Sequence, residues 1–194
     1  SALCHTVRVM TELAESGSIT NVIELPADAV DPTRPEWSLS PSRALDFKNC
    51  ALLYRFRVID RLPEPPSLDA ARGTVIHGVL ERLFDLAATD RTIAAACADV
   101  EPGWQSLLNA EPELVALVEA APGGLETLVE TTQALLDSYF ALEDPRRIEP
   151  ADREVLVEAT LQSGIHLKGF VDRLDRSPAG DLRVVDYKRG KSPS

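Results

Sequence analysis

The sequence is short of the residues that staple a fold or anchor it to a membrane. Its three cysteines, Cys4, Cys50 and Cys97, stand 46 and 47 residues apart with no C-x-x-C pair, which excludes a zinc knuckle or a disulfide framework assembled from this chain alone. An odd, scattered count suits a reducing compartment. No apolar run approaches the ~20 residues of a bilayer span, and the first residues carry none of the marks of a secretion signal. The expectation is a cytoplasmic protein with no membrane partner. Internal repeats and low-complexity tracts are also missing, which excludes solenoids and fibrous arrays.

What is present is a chain of 194 residues, 44% of them hydrophobic, enough for one substantial core. The net charge of −11 argues at first against a polyanionic partner. Its location along the chain changes that reading. Residues 1–38 carry −4 and residues 79–150 carry −10, whereas residues 39–78 and 151–194 carry +2 and +1. A polyanion can approach the second and fourth blocks while the acidic middle forms a solvated face turned elsewhere.

Along the chain, His5–Met10 and Ile19–Leu25 are β-prone runs divided by Glu15-Ser16-Gly17-Ser18, a hairpin pattern, followed by a proline-rich linker from Pro26 to Pro35. Ser40 and Pro41 then open a helix predicted to run unbroken through RALDFKNCALLYRFRVI. In the next helical pattern Val75, Ile76, Val79, Leu80, Leu83 and Phe84 form an apolar stripe, which leaves Gly73, His77 and Glu81 together on another face. Residues from about 91 to 148 read as three or so acidic helices, an insertion or lid. After Pro150 the period changes from helical to alternating, and EVLVEATLQ, HLKGFVDRLDR and LRVVDYK predict an antiparallel meander.

The last hairpin carries the chemistry. Residues two apart on a strand share a face, so Asp186 and Lys188 point one way and Val185 and Tyr187 the other. A five-residue loop, Ser177 to Asp181, sets Asp172 directly across from Asp186, with Cβ atoms about 5 Å apart. Two carboxylates so opposed repel one another, and a divalent cation between them is the usual reason to keep them. A lysine alongside supplies positive charge for a phosphoryl oxygen or an attacking hydroxide. Asp46-Phe47-Lys48 has the same spacing, but on a helix a two-residue step turns the side chains apart by about 200°. Glu154 and Glu158 read as a polar strand face, and Glu81 either orients His77 or faces solvent.

These segments together resemble the RecB-like PD-(D/E)xK superfamily of metal-dependent nucleases, over roughly residues 39–192. LSPSRALDFKNCALLYRFRVIDRLP is similar to the family's opening helix with its cysteine, and GTVIHGVLERLF to the helix with a metal-binding histidine. GFVDRLDR is similar to the strand with the first aspartate and VVDYKRGK to the D-x-K strand. The resemblance implies an α/β fold with a restriction-endonuclease-like core, a mixed central sheet flanked by helices, plus a helical insertion. The residues themselves give an N-terminal hairpin and linker over 1–38, and the resemblance implies a nuclease domain over 39–194 that is incomplete at its C-terminus.

By position, the resemblance further implies that His77, Asp172, Asp186 and the Tyr187 carbonyl ligate Mg²⁺ or Mn²⁺, with Lys188 activating a water for phosphodiester hydrolysis. The implied role is a DNA exonuclease of recombination or repair beside a helicase partner. The alternative is a non-catalytic module that docks DNA ends or a protein. Arg43 and Lys48 are candidate phosphate contacts within the basic set that also includes Arg55, Arg57 and Arg61. Family members continue into a Gln-xxx-Tyr helix and, in one branch, three further cysteines around a 4Fe-4S cluster. Here the chain ends six residues after Lys188, so Cys50 is a cluster ligand only in a longer chain and otherwise a buried small hydrophobe. A sheet stopping at the D-x-K strand leaves an open edge for missing strands or a dimer partner, and little nuclease activity is expected of these residues alone.

Overall fold

The computed structural model describes residues 5–9, 38–161, 163–177 and 179–187, with backbone only for 5–9. Its strands are β1 (His5–Val9), β2 (Ser38–Leu39), β3 (Pro150–Thr160), β4 (His166–Arg176) and β5 (Leu182–Asp186). Its helices are α1 (Pro41–Asn49), α2 (Ala51–Tyr54), α3 (Leu68–Leu83), α4 (Ile93–Ala98), α5 (Val100–Ala110), α6 (Glu113–Ala120) and α7 (Gly124–Leu142). The fold is mixed α/β, consistent with the restriction-endonuclease-like class. Among the described residues, no helix is long and apolar enough to cross a membrane.

The chain divides into two compact units, and the division falls within β3 and β4. The first unit draws on residues 65–154, the end of the meander and β1. Its core is built on the α3 stripe: Val75, Ile76, Val79, Leu80 and Leu83 are all buried, as the helical spacing predicts. Packed with them are Trp104 of α5, Leu114 and Val118 of α6, and Leu136 and Tyr139 of α7. Trp104 Nε1 donates to Thr132 Oγ1 at 3.1 Å, and that hydroxyl donates to the Leu128 carbonyl, so both of these buried side chains are paired. Gly123 opens α7 in the left-handed region at φ 74°, where a Cβ would collide with the Thr127 side chain. The surface of these helices is acidic: Glu101, Glu111, Glu113, Glu119, Glu126 and Glu130 are all solvent-accessible.

β4 and β5 pair antiparallel with Arg173 opposite Val185 and Arg176 opposite Leu182, the register that a five-residue loop predicts. The other edge of β5 differs from expectation. β1 pairs with it antiparallel, from His5 opposite Asp186 to Val9 opposite Leu182. Missing strands or a dimer partner were expected at this edge, and over His5–Val9 it is this chain's own N-terminal strand that pairs there. The expected hairpin partner of that strand, Ile19–Leu25, lies outside the described residues.

In the second unit, Ser40 caps α1 by accepting the Arg43 N–H, and Pro41 takes the first helical position. The predicted continuous helix is broken. Cys50 is extended at φ −160° and ψ 106°, so α1 ends there, α2 begins after it, and Arg55–Ile59 winds as a π turn. β2 pairs in parallel with the start of β4. No residue of α1 or α2 is buried, and Phe47 and Phe170 remain 60% and 67% exposed.

Candidate metal centre

Three groups converge in the first unit. His77 stands on α3, Glu154 on β3 and Asp172 on β4, and one ligand atom from each lies within 4.8 Å of the others. The side chains that flank His77 in sequence pin its helix: Val75, Ile76 and Val79 are buried, so the ring emerges from a fixed surface. Its Nε2 is 2.8 Å from the Tyr187 carbonyl. A carbonyl only accepts, so Nε2 carries the proton and, in the neutral ring, Nδ1 offers its lone pair. That nitrogen is 3.6 Å from Asp172 Oδ1.

Asp172 is mostly buried, and its Oδ2 accepts the backbone N–H of Tyr187. The two peptide groups flanking Tyr187 thus serve both faces of the site, one holding Asp172 and the other holding His77. Glu154 is held in the left-handed region at φ 48°, a conformation that costs a non-glycine residue energy and marks an over-determined position. Arg153 provides the restraint. Its guanidinium donates to the Glu81 carbonyl and to Asp85 Oδ1, clamping the start of β3 to the end of α3. Although the Glu154 residue is exposed, its carboxyl is partly desolvated, and its pKa is raised from the ordinary value first by that desolvation and then by repulsion from Asp172, with His77 partly opposing the shift.

Two carboxylates and an imidazole, with ligand atoms all within 4.8 Å of one another, make a donor set rich in negative charge. Hard divalent cations suit that set, since Mg²⁺ and Mn²⁺ favour a few carboxylates with an imidazole tolerated.

Of the residues singled out in the sequence, His77, Asp172 and the Tyr187 backbone are brought together. Asp186 ends β5, one residue past the Val185 that stands opposite Arg173 in the β4–β5 ladder, but it is not one of the three clustered donors among the described residues. Lys188 lies outside the described residues. Cys50 is exposed rather than buried, because the chain is extended there and α1 and α2 enclose no core. Arg57 is engaged by Asp46 and Glu64 and Arg55 by Asp60, so those two cations are spent on neighbours, while Arg43 Nη1 donates to the Ser38 carbonyl. Glu158 pairs with Lys168 at 3.1 Å.

Glu154 is a candidate donor that sequence reasoning missed. Strand alternation puts it on the same face as Glu158, and the left-handed residue that breaks the alternation leaves no mark in the sequence.

A mixed sheet flanked by helices is consistent with the restriction-endonuclease-like class of fold. Within it, the family model of the PD-(D/E)XK nuclease superfamily matches residues 38–194, and the chain belongs to that superfamily. Similar curated proteins include an ATP-dependent helicase/deoxyribonuclease subunit from Streptococcus equi subsp. zooepidemicus, 29% identical over 81% of this chain. The protein of the same name from Streptococcus mutans is 28% identical over 80% of it. The chain spans 14% of the length of either relative. No solved structure matches it.

Proposed function

We propose that this chain is a divalent-metal-dependent nuclease domain that hydrolyses phosphodiester bonds in DNA, as an exonuclease of recombination or repair. The convergence of His77, Glu154 and Asp172 carries the reading. These three residues would hold Mg²⁺ or Mn²⁺, with Asp186 and the Tyr187 carbonyl beside them. A bound ion supplies acidification of a water and neutralises charge growing on the phosphate. The chain's own part is orientation: Tyr187 fixes one oxygen of Asp172 and the tautomer of His77, which leaves Asp172 Oδ1 and His77 Nδ1, 3.6 Å apart, for the ion. Lys188, assigned from the D-x-K spacing, provides a fixed positive charge for the attacking water or a phosphoryl oxygen.

The names of the relatives pair deoxyribonuclease with helicase, which supports DNA as substrate and a helicase as working partner. β1 pairs along the outer edge of β5, and activity is measured on the chain directly.

The test is cleavage of end-labelled single- and double-stranded DNA with Mg²⁺, Mn²⁺ or chelator. The wild type should degrade DNA only with metal, and Asp172→Asn should lose about two orders of magnitude or more. DNA binding without metal-dependent cleavage under any condition would favour the non-catalytic docking module.

A further inference from the structure

On the face of the sheet away from Asp172, the neighbouring residue Arg173 is fully buried. A buried guanidinium is costly unless its donors are used, and here each of its three nitrogens has acceptors. Nε and Nη2 donate to the two oxygens of Asp175, at 2.9 and 3.2 Å. Nη1 and Nη2 grip both oxygens of Glu143, and Nη1 also reaches the Tyr187 hydroxyl at 2.8 Å and the Tyr139 hydroxyl at 3.3 Å. Asp175 is shared with Arg183, so the cluster of two arginines and two carboxylates is neutral. The guanidinium also lies 5.0 Å over the Phe84 ring, at the end of the helix that carries His77.

We infer that Arg173 is a positioning residue for the metal centre, acting through the Tyr187 side chain. The inference rests on the metal reading above. The Tyr187 backbone serves both Asp172 and His77, and its ring is fixed by the Arg173 bond and by edge-on contact with Tyr139. One guanidinium therefore ties β4, the end of β5, the end of α3 and the end of α7 together behind the ligands. Lysine cannot substitute, because it offers three donors from a point charge where a planar fork is used.

The test is Mn²⁺ affinity by calorimetry on the full chain, well below the melting temperature, for wild type, Tyr187→Phe, Arg173→Lys and the core control Thr132→Val. Tyr187→Phe keeps the ring and the backbone and removes only the hydroxyl acceptor. It should weaken Mn²⁺ binding by about tenfold to a hundredfold, the range for groups that orient metal ligands, and Arg173→Lys should do the same or more. Thr132→Val, which destabilises the same unit without touching Tyr187, should bind Mn²⁺ as the wild type does. Wild-type affinity in both Tyr187→Phe and Arg173→Lys would overturn the positioning role alone. Equal weakening in Thr132→Val would overturn it too, by reducing the effect to general stability. A wild type that binds no Mn²⁺ would overturn the metal reading and this inference with it.

Discussion

Replacing Glu154 by glutamine separates the demands of folding from those of metal binding. The carboxylates of Glu154 and Asp172 present oxygens within 4.8 Å of one another. At that separation two unit charges repel by about 1 kcal/mol in water and by about 3 kcal/mol at a protein-surface dielectric, and the exposure of Glu154 favours the lower figure. Without metal, Glu154→Gln should therefore raise the melting temperature by roughly 2–4 °C, since about 1 kcal/mol moves a domain of this size by that much. With metal the sign reverses. Mn²⁺ at a hundred times its Kd stabilises by about 2.7 kcal/mol, and a variant binding ten times more weakly gains about 1.4 at the same concentration. The Mn²⁺-induced rise should thus be cut by about half or more in Glu154→Gln. Thermal melts across a Mn²⁺ series, beside calorimetric Kd values, measure both numbers. A lower metal-free melting temperature in the variant, or a Mn²⁺ shift equal to the wild type's, would refute the placement of Glu154 in the centre.

Lys188→Ala should lower single-turnover cleavage by about two orders of magnitude at saturating DNA with little change in affinity, whereas a simple phosphate contact would reduce the salt slope of binding by about one charge and leave cleavage unaltered. Thr132→Val strands the Trp104 N–H in the core and should cost about 1–3 kcal/mol in urea denaturation, with native-like stability contradicting the buried bond. Arg153→Ala releases the clamp beside Glu154 and should weaken Mn²⁺ binding more than it lowers the melting temperature, as calorimetry and melts together would show. A limiting thiol reagent should label exposed Cys50 before Cys97, which is less accessible and whose thiol pKa burial pushes up, and peptide mapping by mass spectrometry reads the order.

Local patterns were legible where one periodicity governed them. The α3 stripe fixes which face is buried and so where His77 emerges, and the turn residues after Arg176 fix the β4–β5 register. Features set by distant neighbours were not. Helical propensity continues through Cys50, with no proline or glycine to announce the break. β1 joins a strand about 175 residues away, a pairing to which local alternation is blind. Arg173 belongs to a residue type that composition places on the surface, and only the acceptors supplied by Glu143, Asp175 and Tyr187 make its burial tolerable. The same cluster holds its guanidinium charge: burial alone would lower the Arg173 pKa, and the Glu143 and Asp175 bonds more than reverse it.

The most direct test of the metal centre is anomalous diffraction from crystals of this chain grown with Mn²⁺. A single strong anomalous peak is expected within coordination distance of His77, Glu154 and Asp172. A peak at other residues, or none at Mn²⁺ concentrations well above those that activate cleavage, would contradict it.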